Sequence, residues 1–307
     1  MSQELSYTIE EVAQLLKVSK LTIYDLVKKG ELPVFRVGRQ MRMDAKDLEK
    51  YITDGKSHAS QVPVAEPHQN EVKETQTLVI SGQDMVLDIL GQYITKDSGH
   101  KTLRSNIGSL SGLISMYNGD SDIVSLHMFD GDTGEYNLPY IKKILVGYPY
   151  ILLNLVSRKA GLYVKKGNPF NLTSWIDLNK DLTIINRERG SGARILLDEQ
   201  LRIHKIPSKN LKGYENEETN HLSVASAVSS GGADVGVGIE KAAKMVGVDF
   251  IPLITERYDL VLLKTPKNEH IINIVKSILS SEPFRAEIDA LGDYDVSRTG
   301  SIIHETF

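Results

Sequence analysis

The chain has 307 residues, of which 41% are hydrophobic and 25% are charged; this composition is typical of globular proteins, and the length favours two domains. The formal net charge of −4 excludes whole-molecule electrostatics as the means of holding a nucleic acid, so any basic patch must be local. The absence of cysteine excludes disulfides, thiolate metal sites and cysteine nucleophiles.

The chain gives no sign of a secretory or membrane-spanning segment. Residues 1–7 contain neither a basic region nor an apolar run of the kind that marks a signal peptide. The longest mostly apolar run, residues 144–156, is interrupted by Gly147, Pro149 and Asn154 and is too short to span a bilayer, so it predicts a buried strand. We therefore expect a soluble, cytoplasmic protein without a membrane partner.

Residues 1–53 form the first predicted domain, a small head. Thr8 and Glu11 have the spacing of a capping box, in which each side chain bonds the backbone N–H of the other residue. Apolar residues then repeat at helical spacing over residues 9–16. A second helix is predicted over residues 20–29.

A hairpin and a last helix complete the predicted head. Residues 32–43 alternate as a β-hairpin that turns at Gly38 and Arg39. Asp44 follows as the N-cap of a helix over residues 45–52.

Two helices joined by a short turn and followed by a hairpin wing are a DNA-binding arrangement. Four stretches carry a closer likeness: YTIEEVA at 7–13, VSKLTIY at 18–24, GELP at 30–33 and VGRQ at 37–40. On these stretches, residues 7–52 resemble the excisionase-like branch of the MerR-type helix-turn-helix superfamily. The resemblance implies binding to double-stranded DNA through the second helix and the wing, with these contact residues: Lys20, Thr22, Tyr24, Arg36, Arg39 and Arg42.

The charge of the head leaves a second reading open. Residues 1–53 hold nine Lys and Arg and eight Asp and Glu, a net charge of only +1. Such a small positive charge is also compatible with a helix-turn-helix that contacts a protein. One head offers little surface for tight specific binding, so we expect a homodimer or higher homo-oligomer on paired half-sites.

Residues 54–75 predict a linker. The stretch is polar, contains two prolines and no aromatic residue, and follows neither helical nor strand periodicity.

Residues 76–307 predict an α/β body. Strand patterns alternate with helix patterns, which is typical of a doubly wound sheet. The predicted strands and helices are 77–80, 85–94, 102–107, 108–117 and 122–126. In such sheets ligands bind beyond the carboxyl ends of the strands.

A glycine–serine–glycine turn at residues 190–192 is the clearest candidate for a binding element. It lies between a strand-like run, residues 182–185, and a helix-like run, residues 195–201, and three arginines flank it. The N–H groups at a helix start bind anions readily. The alternative is a tight turn with solvated arginines. Similar serines follow other strands, at Ser81 and Ser109, where an ordinary helix N-cap is the alternative.

The body also carries an ordered set of motifs. They are SGxD at 81–84, GSLxGL at 108–113, DIxxLH at 122–127, DxGEYNxPY at 132–140, NRxRGSGxR at 186–194, SVAxAVxxGxADVGxGI at 223–239 and ERYDL at 256–260. On these motifs the body resembles the molybdate-binding-like, periplasmic-binding-protein-type domain of some molybdenum cofactor and regulatory proteins. The resemblance implies two lobes, one of residues 76–155 with the C-terminal part and one of residues 156–254, and a ligand between them. Ala193 departs from the family, where threonine is common.

The resemblance implies molybdate or tungstate as the ligand, no cofactor, and no metal site other than one for the oxyanion. The expected ligand contacts are Ser81, Gly82, Ser109, Arg187, Ser191, Gly192, Arg194 and Tyr258. For the arginines, surface ion pairs are the alternative, and for Tyr258 it is a core position between the lobes.

Three further side chains are weighed as site residues. Asp84 could accept a hydrogen bond from a protonated phosphate, although an acid in the first helical turn is the simpler reading. His127 and His221 are interpreted as structural residues or as hydrogen-bond donors at helix starts, because no metal-ligand spacing is present.

No catalytic motif emerges, so we expect no enzyme. The first hypothesis is a transcriptional regulator whose body binds an oxyanion. The second is a protein of molybdenum cofactor metabolism whose head binds a protein partner. The third is a sensor of a different anion.

Overall fold

The computed structural model describes residues 6–16, 20–28, 32–38, 40–48, 50–51 and 77–306. The chain divides into two compact units, Met1–Val72 and Lys73–Phe307. The linker predicted over residues 54–75 lies outside the described residues. Within the described ranges, no helix is long and apolar enough to cross a membrane.

The head combines a small antiparallel sheet with helices. Its strands are β1 (Ser6–Thr8), β2 (Phe35–Val37) and β3 (Gln40–Asp44), in the order β1-β3-β2. Its helices are α1 (Ile9–Leu16), α2 (Lys20–Lys28) and α3 (described at residues 45–48 and 50–51). The hairpin of β2 and β3 confirms the predicted wing, and β1 is an additional strand that the sequence did not indicate.

Capping hydrogen bonds fix the starts of α1 and α3. Thr8 N donates to Glu11 Oε2 at 2.7 Å, and Glu11 N donates to Thr8 Oγ1 at 3.3 Å, which confirms the capping box. Asp44 Oδ1 accepts from Lys46 N at 2.9 Å, as an N-cap does. The apolar faces meet in a core of Ile9, Val12, Ala13, Ile23, Leu32, Met43 and Leu48.

The body is built on one mixed sheet of ten strands. They are β4 (Thr77–Ser81), β5 (Lys101–Ser105), β6 (Ile123–Leu126), β7 (Tyr150–Val164), β8 (Ile184–Arg187), β9 (Glu217–Glu218), β10 (Val235–Ile239), β11 (Asp249–Leu263), β12 (Tyr294–Asp295) and β13 (Ile302–Glu305). The order is β5-β4-β6-β11-β7-β10-β8-β9, and β12 and β13 also pair with β7. The predicted α/β body is therefore confirmed.

Helices cover both faces of this sheet. They are α4 (Val86–Ser98), α5 (Ser109–Asn118), α6 (Leu138–Ile144), α7 (Gly192–Ile203), α8 (His221–Ser229), α9 (Glu240–Val246), α10 (Glu269–Ser280) and α11 (Glu282–Ala290). In the first lobe, α4, α10 and α11 pack on one face and α5 and α6 on the other. In the second lobe, α7 packs on one face and α8 and α9 on the other.

The two longest strands, β7 and β11, connect the lobes. Each has 15 residues, and they pair antiparallel along almost their whole length. Tyr258 pairs with Val156 where the chain passes from one lobe to the other, next to a register shift at Asp259. A continuous strand pair of this kind holds the two lobes on one frame.

One predicted strand is corrected by the structure. The apolar run over residues 144–156 is divided, because α6 ends at Ile144 and β7 begins only at Tyr150. Gly147 has a φ of 81° between them, a left-handed backbone that breaks both elements. The strand instead extends to Val164, through the charged residues Arg158 and Lys159.

Candidate functional site

At Gly82, directly after β4, the backbone passes close to side chains of β6 and β11. Its φ is 139°, a conformation that other residues rarely adopt. A Cβ at this position would overlap Ser125 Oγ and lie 3.0 Å from Tyr258 OH. Glycine is therefore required by both its backbone and its neighbours.

Two helix starts, one from each lobe, meet beside Gly82. Leu110 N, in the first turn of α5, donates to Gly190 O of the other lobe at 3.0 Å. A Cβ on Gly108, the N-cap of α5, would lie 3.0 Å from Gly190 O. Ser191 caps α7, since its Oγ accepts from Arg194 N at 3.2 Å. Two positive helix ends thus face the same space.

These elements enclose a small cavity with about 200 Å³ of space outside atoms, part of it open to solvent. It is lined by Gly82, Gln83, Ile107, Gly108, Ser109, Ser125, His127, Ser191, Gly192 and Tyr258. Within the described part of the chain, no Asp, Glu, Lys or Arg lines it. We call this space the hydroxyl cavity.

The hydroxyl cavity is rich in hydrogen-bond donors. Ser125 Oγ and Tyr258 OH lie 2.7 Å apart, and Ser109 Oγ accepts from His127 N at 3.3 Å. Burial raises the pKa of Tyr258 to about 12, so the phenol keeps its proton at neutral pH. Among the described residues, no hydrogen-bond acceptor is found for the first backbone N–H groups of α7, those of Gly192 and Ala193. Such a set can bind a small anion through dipoles alone.

A buried ion network lies behind His127 and Tyr258. Arg158 forms ion pairs with both Asp84 and Glu256, and all three side chains are almost fully buried. Glu256 Oε2 also lies 3.2 Å from His127 Nδ1. Burial alone would raise the pKa of Glu256, but Arg158 and His127 together hold it far below its ordinary value, so the carboxylate stays ionised.

The same network closes on the C-terminal part of the lobe. Tyr294 OH lies 2.9 Å and 3.1 Å from the two carboxylate oxygens of Asp84. Asp84 Oδ1 also accepts from Val86 N at 2.9 Å, although Asp84 precedes the helix, whose N-cap is Met85. Arg158 lies over the Tyr258 ring at 4.6 Å, which adds a cation–π contact.

A larger cavity of about 850 Å³, partly open to solvent, adjoins the hydroxyl cavity. The two share Gln83, His127 and Tyr258. The other charged and imidazole side chains on its wall are Asp84, Asp88, Arg104, Arg158, Arg187, His221 and Lys241. We call it the charged cavity.

The structure brings five of the eight predicted ligand residues together. The hydroxyl cavity is lined by Gly82, Ser109, Ser191, Gly192 and Tyr258. Their roles in binding stay predictions.

The other three predicted ligand residues lie elsewhere. Ser81 Oγ bonds Ser121 Oγ at 2.7 Å, inside the first lobe. Arg187 lines the charged cavity, where it pairs with Glu188 at 2.7 Å. Arg194 turns away from both cavities, toward Asp198 and Glu217.

Sequence reasoning missed Ser125, His127 and Gln83 as lining residues. Ser125 and His127 alternate at the end of β6, so a strand-end signal was available. It also missed Arg158 and Glu256, whose signal is a charged residue within a long apolar strand. Among the described residues, no group of three or more His, Asp or Glu is arranged to hold a metal ion.

The head brings part of its predicted DNA-contact set together. Tyr24 and Arg36 are exposed and line one concave surface, together with Glu10. Lys20 and Thr22 are exposed on α2, and Lys20 Nζ lies 2.9 Å from Glu10 Oε1.

The two remaining wing arginines have different outcomes. Arg42 is partly buried, and its Nε donates to Ser6 Oγ at 3.0 Å. Part of its donor capacity is therefore used within the head. Arg39 lies outside the described residues.

Comparisons with known proteins agree with this two-part organisation. A family model of the PBP superfamily domain matches residues 91–280, and one of a helix-turn-helix domain matches residues 6–56. The uncharacterized protein YvgK of Bacillus subtilis is 51% identical over 312 aligned positions, covering 100% of both chains.

Two shorter or more distant likenesses concern the separate parts. A provisionally assigned DNA-binding protein of Mycobacterium tuberculosis is 59% identical over 39 residues, 13% of this chain and 50% of that protein. A provisionally assigned phosphate ABC transporter substrate-binding protein from Clostridium perfringens, solved with bound phosphate, has a TM-score of 0.53 and 15% identity. That match covers 72% of this chain and 99% of the other and supports the fold of the body.

Proposed function

We propose that this chain, which belongs to the PBP superfamily and carries an N-terminal helix-turn-helix domain, is a cytoplasmic one-component transcriptional regulator. Its body binds a tetrahedral oxyanion, molybdate or tungstate, in the hydroxyl cavity, and the bound anion changes the affinity of the heads for operator DNA. The observation that carries the proposal is a cavity lined by four hydroxyls and two helix starts, with no carboxylate among its described lining residues.

The donors of the cavity favour a fully deprotonated anion. Hydrogenphosphate carries a proton and benefits from an acceptor, whereas a proton-free dianion offers only acceptors. Asp84, the acceptor candidate, is already occupied by Arg158, Tyr294 and Val86 N. This supports a proton-free dianion over hydrogenphosphate, even though phosphate is the ligand of one protein with a similar fold. The choice of molybdate or tungstate over sulfate is based on the resemblance of the motifs to the molybdate-binding-like family.

The contacts between the lobes supply a means of coupling. Gln83 of the first lobe accepts from Arg187 of the second, and its Nε2 donates to Glu188 Oε1 at 3.2 Å. A ligand beside Gln83 that binds the closed lobes more tightly than the open lobes shifts the balance between them. The heads respond only if that shift changes how two of them are spaced on DNA, which is why we propose a homodimer on paired half-sites.

Titration calorimetry of the anion-free full chain with molybdate, tungstate, sulfate and phosphate tests the ligand. We expect tight binding of molybdate or tungstate. Ser109→Ala and Ser191→Ala should each weaken it about tenfold to a hundredfold, because each removes a hydrogen bond to a charged group. Ser111→Ala, an exposed serine on the same α5, is the matched control and should change nothing. No heat from any of the four anions would refute the oxyanion assignment.

DNA binding tests the regulatory half. Genomic fragments captured by the full chain would supply an operator, whose affinity is then measured by fluorescence anisotropy with and without saturating molybdate. Arg36→Ala should weaken binding and lower its salt dependence, whereas Lys142→Ala, the loss of an exposed charge in the body, should not. Equal operator affinity with and without the anion would contradict the sensor. Recovery of no specific fragment would favour a head that contacts a protein.

A further inference from the structure

Strand β5 forms one end of the ten-stranded sheet. Among the described residues its one neighbouring strand is β4, and all five residue pairs, from Thr77–Lys101 to Ser81–Ser105, stay in register. The strand contains no proline and no bulge. A regular edge of this kind offers free backbone groups to another strand. The strand at the opposite end, β9, has only two residues, and its shortness protects it.

The free edge of β5 presents the backbone groups of Thr102 and Arg104. Ser105 O accepts from Gly82 N at 2.9 Å, so the backbone groups of Ser105 point toward β4. This direction alternates along a strand, so those of Leu103 also point toward β4 and those of Thr102 and Arg104 point outward. Two N–H and two C=O groups therefore lie along the outer edge.

Leu103 lies at the centre of this edge, and it is 58% exposed. The side chains on either side of it face α4: Thr102 Oγ1 donates to Gly91 O at 3.3 Å, and Arg104 forms an ion pair with Asp88. Side chains alternate between the faces of a sheet, so Leu103 lies on the face away from α4. An apolar residue in the middle of an open edge is a feature that protected edge strands avoid.

A groove of about 780 Å³, partly open to solvent, lies between the β5 edge and α4. Asp88, Gln92 and Lys96 lie on its wall and are exposed. They are spaced four residues apart, so they form one row along the helix. The charge of this row changes from negative through neutral to positive.

The contacts of α4 fix its direction relative to β5. Asp88 pairs with Arg104, whereas Thr95 Oγ1, further along the helix, lies 3.4 Å from Thr102 Oγ1. The helix therefore runs antiparallel to the strand. Leu103, which lies between Thr102 and Arg104, is level with the part of α4 between Asp88 and Thr95.

A row with this charge pattern is complementary to a second copy of itself. Gln92 is the middle of the row and lies in the part of α4 that is level with Leu103. A two-fold axis at Leu103 relates two antiparallel copies of α4, and it places Asp88 of each copy beside Lys96 of the other. The same surface then serves both copies, as the interface of a two-fold dimer requires.

We infer that β5 pairs antiparallel with β5 of a second copy of this chain, about a two-fold axis at Leu103, with reciprocal ion pairs between Asp88 and Lys96. In this register Thr102 of each copy exchanges backbone hydrogen bonds with Arg104 of the other, and the two Leu103 residues form the close, non-hydrogen-bonded pair. The inference rests on the proposed function for its role, because a regulator on paired half-sites needs two heads. Its location rests on the strand edge and the groove.

A cross-link tests the position of the two-fold axis. The chain contains no cysteine, so Leu103→Cys introduces a single thiol. Opposed residues of a non-hydrogen-bonded pair have Cα atoms about 4.5 Å apart, which is within the range of a disulfide. Mild oxidation of the full chain should therefore give a covalent dimer on a non-reducing gel. Ile114→Cys, at an exposed residue of α5 in the same lobe, is the matched control and should give little dimer.

Charge reversal tests the ion pairs. Sedimentation of the unmodified full chain should show a species with twice the chain mass of 34.1 kDa. Lys96→Glu and Asp88→Lys each place like charges at both reciprocal contacts, so each should raise the dimer Kd about tenfold or more. An equal mixture of the two variants has opposite charges at both contacts and should recover the dimer. Lys142→Glu, an exposed position of α6, is the control and should leave the Kd unchanged.

The outcomes separate this inference from the proposed function. A monomer at all concentrations, no cross-link through Leu103→Cys, or no recovery when the two charge variants are mixed would each overturn the inference. Tight molybdate binding by the same protein would still support the oxyanion function. A dimer that cross-links and recovers but binds none of the four anions would refute the oxyanion function and leave the interface in place.

Discussion

The hydroxyl cavity and the charged cavity share three residues, but the groups that line them differ in charge. In the charged cavity the three arginines are already paired: Arg104 with Asp88, Arg158 with Asp84 and Glu256, and Arg187 with Glu188. In the hydroxyl cavity the donors are hydroxyls and backbone N–H groups that carry no formal charge. The difference indicates that ions in the charged cavity organise the frame, whereas the dipoles of the hydroxyl cavity remain available to a ligand.

The largest expected effect is the loss of stability when Arg158, the cation of the buried ion network, is replaced. Arg158→Met would leave Asp84 and Glu256 buried without their partner, and breaking buried pairs typically costs about 3–5 kcal/mol. The measurement is denaturant unfolding followed by Trp175, the single tryptophan of the chain, which lies in the body.

Lys159 provides the matched control for this variant. It is the next residue of β7, but it is exposed and bonds Thr255 Oγ1 at 2.7 Å. Lys159→Met should cost less than about 0.5 kcal/mol, as is usual for the surface. Equal losses for Arg158→Met and Lys159→Met would mean that the buried network does not hold the frame.

A second prediction perturbs the hydroxyl cavity at the start of α7, through the ring of His127. Gly192→Ala would place a methyl group 2.5 to 2.7 Å from three atoms of the His127 ring. The ring must then move away from Glu256, and we expect anion affinity to fall at least about 30-fold, the equivalent of roughly 2 kcal/mol of overpacking strain.

Gly232→Ala is the control, because its added Cβ meets no atom closer than 3.4 Å. Calorimetry with molybdate compares the two variants. An unchanged affinity in Gly192→Ala would mean that the anion does not depend on the start of α7 or on the ring beside it.

Local sequence patterns predicted the helices, strands and turns of this molecule better than they predicted the contacts between them. The Thr8–Glu11 capping box and the turn at 190–192 are written in adjacent residues, and their physics is local. Strand β1 was missed because three residues carry no periodicity of their own and form a strand only against β3. The division of residues 144–156 was missed because Gly147 and Pro149 were read as interruptions of one strand.

The sequence predicted the parts of the candidate site that the backbone forms. It did not predict which partners the side chains contact. Gly82 and Gly192 could be singled out because turns at strand ends need glycine and lie where ligands bind. Ser81 and Ser109 look alike in sequence, yet one bonds Ser121 and the other lines the cavity. Arg194 likewise sits one turn from the cavity and faces away. The direction of such side chains is set by neighbours distant in sequence.

A third prediction concerns the neutral histidine on the wall of the charged cavity. The pKa of His221 is lowered by burial, so the unfolded chain binds a proton before the folded one does. Its contribution to stability is therefore complete above the ordinary histidine pKa and is lost as pH falls below it, with a slope of at most about 1.4 kcal/mol per pH unit.

We expect the free energy of unfolding to fall between about pH 7 and about pH 5.5, and to fall less steeply in His221→Gln. The window lies above the range in which Glu256 contributes, because a carboxylate with a lowered pKa loses its contribution only below its ordinary value. His204→Gln should keep the slope of the unmodified chain. An equal slope in His221→Gln would assign the pH dependence to other groups.

The smallest expected effect concerns Arg194, the predicted ligand residue that faces away from both cavities. Its Nε lies 3.1 Å from Asp198 Oδ2, its Nη1 lies 2.9 Å from Glu217 Oε1, and its guanidinium lies 4.4 Å from the centre of the Tyr214 ring. The arginine is buried, whereas both carboxylates are partly exposed and can be hydrated when it is removed, so Arg194→Gln should cost about 1 to 2 kcal/mol of stability.

Anion affinity in Arg194→Gln should change less than about twofold, since the charge of Arg194 is already balanced by two carboxylates and its side chain lines neither cavity. Calorimetry with molybdate compares Arg194→Gln with Ser191→Ala. The two residues lie three positions apart at the same helix start. If Arg194→Gln instead weakened binding as much as Ser191→Ala, a formal charge would contribute to holding the anion. The division between a cavity of dipoles and a cavity of paired ions would then fail at the point where the sequence first suggested an anion site.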